Sequence, residues 1–299
     1  MIGELAALGA ALSWTISAIL YKKALAEAKP VSANIVRCAC TSLILVVFLV
    51  GIGKFNILTS LPSYAIVLAS ISGIIGLGLG DTLYMTSLKL IGVARAVPIT
   101  CTYPLFNLLL TALLLEENVT FSIVLGAAAI VFGIWLLSHE TDSGKTQVKR
   151  TVFVKGLVYA LATAIIWSVS ITMIDVAVTL PETSSLDNAL AINTVRLVAV
   201  AAILLMFSPA IDRKLDFIRM SKATLASLVL GGVVALGVGW FLLTFSFLNI
   251  SEAIAVPISS TTPLFSTLSG VIFLRERVTA RNAIGSIITV SGVFLLFIV

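Results

Sequence analysis

Four ionisable residues stand inside stretches that are otherwise apolar: Arg37, Asp81, Asp175 and Arg196. Charge among apolar side chains is costly, so each is a candidate for binding, proton transfer or ion pairing, with a partner to be named. Asp81 follows Gly78 and Gly80. Its carboxylate suits proton coupling or the binding of a substrate amine, set against a structural ion pair. Asp81 with Arg196 and Asp175 with Arg37 are the candidate pairs. The plainer use of both arginines is snorkelling, or clamping backbone carbonyls.

Uncharged groups extend the set. Trp14 and Ser17, like Trp167 and Ser170, are three residues apart and share a helix face. They can present an aromatic wall and a hydroxyl, and a cation binds well against such a wall. An interfacial aromatic belt is the commoner use of tryptophan, but Trp14 falls near the middle of its apolar run. Trp240 is another candidate wall, and Asn34 and Asn193 are candidate cavity amides. Thr100, Thr102, Tyr103, Asn107 and Thr111 precede a second polar cluster at Ser259, Ser260, Thr261, Thr262, Ser266 and Thr267. These hydroxyls and amides suit a small polar solute; the bland reading is helix packing by small hydroxyl residues. Pro98, Pro104, Pro257 and Pro263 remove backbone donors and are candidate helix breaks and gating points, tolerated where helices pack or line a cavity.

Several chemistries find no support. Cys38, Cys40 and Cys101 lack metal spacing, and His139 is the single histidine. No HExxH, serine–histidine arrangement or phosphate loop occurs. The expectation is therefore no enzyme, no metal and no cofactor, and no ATP-driven transport by this chain alone.

The elements that must position these residues are membrane helices. Apolar residues make up 59% of the 299, charged residues 11%, and mean hydropathy is +1.14; soluble domains carry about 25% charged residues. Net charge is +5, but the cations flank apolar segments in small groups and build no basic face, so no nucleic-acid partner is expected. Ten stretches near the length of a spanning helix can be drawn: 3–22, 33–51, 64–88, 93–115, 119–138, 154–178, 187–208, 223–247, 252–274 and 278–298. The amino terminus reads as a retained first helix, because no positive region or cleavage site accompanies its apolar run.

The chain repeats itself. Residues 94–106 (ARAVPITCTYPLF) return as 253–265 (AIAVPISSTTPLF), an offset of 159. Asn34, Arg37, Gly80, Glu117, Gly126 and Gly133 recur at that offset as Asn193, Arg196, Gly239, Glu276, Gly285 and Gly292. Trp14 and Ser17 recur as Trp167 and Ser170 at an offset of 153. Asp81 has Trp240 as its counterpart, so the symmetry is broken there. The chain divides into a first repeat at 1–138, a polar linker at 139–153 and a second repeat at 154–299. Five spans per repeat is an odd number, so the second repeat is inverted, with the substrate expected where the halves meet. With the amino terminus outside, sixteen Lys and Arg flank inner ends and Lys54 alone lies outside; the positive-inside rule then places both termini outside the cytoplasm.

Asn34 and Arg37, the glycine-rich stretch 73–92, Pro104-Leu105-Phe106, Glu117, Gly126 and Gly133, with their counterparts in the second half, resemble the EamA family of the drug/metabolite transporter superfamily. The resemblance covers nearly the whole chain. It implies a ten-helix, all-α membrane protein of two inverted five-helix repeats. It also implies a secondary transporter, often an exporter of amino acids, small metabolites or drugs, with a central cavity. Better-known bacterial members are drawn with both termini in the cytoplasm, opposite to the charge count here. The expected partners are a small-molecule substrate and the lipid bilayer of the cell membrane. Gly126, Gly133, Gly285 and Gly292 read as a packing face or a homodimer face. The alternative function is a lipid or lipid-linked carrier flippase, for which Arg37 and Arg196 are candidate ligands.

Overall fold

The computed structural model describes residues 1–91, 96, 99–114, 119–138, 150–212, 215–265 and 280–297. Among them the regular structure is helical throughout. Six helices are long and apolar enough to cross a membrane. They are α1 (Ile2–Ala24), α2 (Pro30–Gly51) and α3 (Ser63–Ile91), then, after the shorter α4 (Tyr103–Leu114) and α5 (Phe121–Ser138), α6 (Arg150–Thr179), α7 (Leu186–Ile211) and α8 (Lys222–Phe247). Two shorter helices, α9 (Glu252–Ser259) and α10 (Ala280–Phe297), follow.

Local chemistry sets the starts. Pro30 opens α2, where its missing N–H costs nothing. Ser185 and Ser221 cap α7 and α8 by accepting from the backbone N–H of Asn188 and Thr224. Large apolar side chains such as Leu43, Val47, Leu113, Phe121, Ile287 and Phe294 are exposed. Water would not tolerate that band, whereas hydrocarbon does. The chain is a multi-pass membrane protein.

Two of the ten expected spans are interrupted. The stretch 93–115 turns at Cys101 and Thr102 before α4, and 252–274 turns at Ser260 and Thr261 after α9. The turns are 159 residues apart, and Pro104 and Pro263 each sit two residues or so beyond them, just inside the next helical stretch. Pro257 lies inside α9. Pro98, Glu117, His139, Ser266, Thr267 and Glu276 lie outside the described residues, as does most of the linker.

Each repeat lends its first helix to the other. Helix α1 packs on α8 and α9, and α6 packs on α3 and α4; α2 lies along α7, and α5 along α10. The α2/α7 pair is antiparallel. Ser32 Oγ donates to Asp212 at 2.9 Å and Lys29 pairs with Asp216 at one end, while Lys54 Nζ meets Asp187 at 2.6 Å at the other.

The glycines of α5 and α10 are used within the chain. A Cβ on Gly133 would fall 2.2 Å from Thr289 Oγ1 and 2.7 Å from the Gly285 carbonyl oxygen. A Cβ on Gly292 would fall 2.8 Å from the Gly126 carbonyl oxygen. They form a packing face between α5 and α10. Gly133→Val is expected to lower stability by about 1–3 kcal/mol through overpacking. Thermal unfolding of the purified protein checks this against Gly51→Ala, where an added carbon meets nothing within 4 Å.

Candidate functional site

The repeat builds two equivalent sites and furnishes them differently. In α3 the backbone widens to a π-helical course over Gly73–Gly80, so the Asp81 N–H reaches back five residues to the Gly76 carbonyl. Helix α8 does the same over Val233–Gly239, with Trp240 reaching Ala235. Such wide turns leave carbonyls poorly matched within the helix and occur often at functional sites. An asparagine from the neighbouring helix satisfies them. Asn34 Nδ2 donates to the Leu77 carbonyl at 2.8 Å and Asn193 Nδ2 to the Leu236 carbonyl at 3.0 Å. These asparagines therefore fasten α2 to α3 and α7 to α8.

One turn further along α2 and α7 stand the arginines, and here the sites diverge. Arg37 is buried, donates through Nε to Asn34 Oδ1 at 2.8 Å and through Nη2 to Asp81 Oδ2, and lies 5.1 Å from the Tyr21 ring. Asp81 Oδ1 accepts from Trp167 Nε1 at 2.9 Å. Trp167 is itself flanked by Tyr84 and Tyr103. The second site has Trp240 where the first has Asp81. Arg196 lays its guanidinium 3.7 Å over the Trp240 ring, and Trp14 meets the same ring edge-on at 5.4 Å. Trp14 Nε1 donates to the Ala235 carbonyl at 3.2 Å.

This corrects the expected pairs. Asp81 pairs with Arg37 and not with Arg196, and the Arg37 ion pair goes to Asp81 and not to Asp175. The reason is the repeat itself. Equivalent residues make equivalent contacts, so Arg37 meets position 81 while Arg196 meets position 240. Asp175 is buried in α6.

Ser170 joins the two sites. Its hydroxyl accepts from Arg196 Nη2 at 3.0 Å and donates to the Ser72 carbonyl at 2.9 Å, tying α6 and α7 to α3. A side chain on Gly76 would fall 2.1 Å from Ser170 Oγ, which is why that turn of α3 carries none. Ser17, by contrast, bonds back to the Trp14 carbonyl.

The polar run around the helix breaks is largely self-satisfied. Ser259, Ser260 and Thr261 donate to the carbonyls of Val256, Pro257 and Ile258, and Thr102 donates to that of Ile99. At the turns these carbonyls also accept three- and four-residue backbone N–H bonds from Ser260, Thr261 and Thr102, and the hydroxyls add a second donor to each. Thr262 instead reaches the Ala11 carbonyl in α1 at 3.3 Å. Tyr103 bridges α4 and α9 through Ser259 Oγ at 3.4 Å.

A further buried group escaped the sequence reading. Glu252, 0% exposed at the start of α9, accepts from Asn107 Nδ2 in α4 and from Thr172 Oγ1 in α6 at 3.0 Å. It stands at the edge of an apolar run, where an acid reads as a solvated helix start. Its counterpart at the repeat offset is Val93, a break in symmetry of the kind that singled out Asp81.

Broken helices, a buried ion pair and tryptophans thus stand together where the two sequence repeats meet. The family model described as "EamA-like transporter family" matches residues 1–139 and 154–298, and the chain belongs to that family. A relative from Archaeoglobus fulgidus, described as an "Uncharacterized transporter", is 27% identical over 301 residues, spanning 100% of this chain and 99% of its own length. A solved structure described as "Crystal structure of protein" shares the fold with a TM-score of 0.79 at 19% identity, covering 99% of this chain and 96% of that one.

Proposed function

We propose that the protein is a secondary-active transporter that exports small metabolites such as amino acids, amines or drug-like solutes. Two inverted five-helix repeats alternate access to a central site between them. The observation that carries this reading is the pair of repeat-related sites, one closed by Arg37–Asp81 and the other by Arg196 on Trp240. Inversion is supported by the antiparallel course of α2 beside α7 and by the exchange of first helices between halves. Alternating access needs two near-equivalent packings, which an inverted repeat supplies. The broken helices supply short segments that can tilt separately. Asp81 takes the coupling role, since protonation releases Arg37 and leaves α2 held to α3 by the Asn34 amide without the ion pair. The positive-inside count favours termini outside the cytoplasm.

The test is transport in proteoliposomes, with amino acids, amines and small metabolites offered with and without a proton gradient. Wild type is expected to move at least one solute faster with the gradient, and Asp81→Asn to lose that response. Equal responses in both forms would remove Asp81 from coupling. Scrambling of a fluorescent lipid with no solute movement would replace the reading with a flippase.

A further inference from the structure

Arg196 is 0% exposed, and its Nε and Nη1 have no hydrogen-bond partner among the described residues. Buried donors are nearly always bonded, and each exception asks for an explanation. A buried guanidinium without an anion is more costly still. The comparison with Arg37 shows what is missing. There Nε has Asn34 Oδ1 and Nη2 has Asp81; here Asn193 Oδ1, the equivalent acceptor, is itself without a partner. The Arg196 fork has turned from α7 toward Trp240, and only Nη2 is engaged, by the Ser170 hydroxyl at 3.0 Å. Stacking occupies the face of a guanidinium and leaves its edge donors available. Asp81, the nearby acid, already accepts from Arg37 through Oδ2 and from Trp167 Nε1 through Oδ1.

We infer that Arg196 is the receptor for a carboxylate on the transported solute, which supplies the anion that position 240 lacks. This rests on the transporter reading above. The fixed fork of a guanidinium matches the two oxygens of a carboxylate. The edge-to-face pair of Trp14 and Trp240 offers an apolar wall beside the charge for the body of the solute. One guanidinium and one hydroxyl suit a monoanion. A phosphate monoester, near two negative charges with three acceptor oxygens, would leave charge and acceptors unmet.

Three probes matched in size test this on the purified protein in lipid nanodiscs: 3-phenylpropionate, 3-phenylpropionamide and 3-phenylpropylamine, with phenyl phosphate as a fourth. Binding is read by thermal stabilisation and by tryptophan fluorescence. The acid is expected to stabilise and to change the fluorescence saturably, and the amide and amine to do neither. Arg196→Gln is expected to weaken the acid by about tenfold to a hundredfold, and Arg196→Lys to retain part of the affinity. Without ligand, Arg196→Gln should unfold at the wild-type temperature or above, because it removes an unpaired buried charge. The inference is overturned if the amide binds as well as the acid, or if Arg196→Gln binds the acid unchanged. It is also overturned if ligand-free Arg196→Gln and Arg196→Lys both unfold far below wild type, which would mark a structural clamp. Phenyl phosphate binding more tightly than the acid would overturn the choice of carboxylate. Solute transport by wild type with no acid binding sinks this site and spares the transporter reading; acid binding with no transport does the reverse.

Discussion

Arg37→Gln is expected to be among the most destabilising single substitutions in the chain, costing about 3–5 kcal/mol, the usual penalty for stranding one member of a buried ion pair. Asp81 would keep the Trp167 N–H at 2.9 Å and lose the guanidinium it pairs with. Asn34 Oδ1 would lose its guanidinium donor as well, loosening the amide that fastens α2 to the wide turn of α3. Asp81→Asn should cost less, because an amide oxygen can still accept from Trp167 and Arg37. Arg37→Gln with Asp81→Asn should recover about half of the loss, since neither buried charge then remains. Thermal unfolding of the four proteins in detergent measures the cycle. Additive losses would show that the pair is not coupled. The doubly neutral protein has a second use. It separates loss of coupling from loss of fold in the transport assay, because any residual transport it shows should ignore the proton gradient.

The membrane class and the repeat are plain in the sequence, because both rest on composition and on residues that recur at a fixed offset. The breaks near Pro104 and Pro263 are equally plain, since proline acts on its own helix. Partners are harder to read. The pairing of Arg37 with Asp81 follows from helices of one repeat lying side by side, and it could have been found by asking which position each arginine meets in both halves. The exchange of α1 and α6 left no mark on their sequences, because a lipid-facing stripe looks the same whichever bundle it packs on. The π-helical turns were visible only as glycines, which suited close packing equally well. Glu252 was hidden by its place at a span boundary. The hydroxyls of 259–261 have types that suit a solute, and the structure shows that each also donates to a carbonyl of its own backbone, a use that residue type alone does not announce.

Glu252→Ala carries the other large expected effect. The carboxylate holds Asn107 from α4 and Thr172 from α6 against the first turn of α9. It thus joins a half-helix of the first repeat, a half-helix of the second and the exchanged helix α6. Alanine would leave the Asn107 amide and the Thr172 hydroxyl without this acceptor, and hydrogen bonds to charged groups are worth about 1.5–3 kcal/mol each. A loss of about 2–4 kcal/mol in stability is expected, with transport falling at least about tenfold because both broken helices lose a shared anchor. Glu252→Gln keeps an oxygen in place and should preserve most of the stability. The two variants together then divide the possibilities. If Glu252→Gln transports normally, the acceptor alone matters and Glu252 is an anchor. If it folds like wild type and fails to transport, the charge takes part in the cycle, and the protein carries a second acid in addition to Asp81. Stability of Glu252→Ala equal to wild type would show that α4, α6 and α9 are held by packing alone.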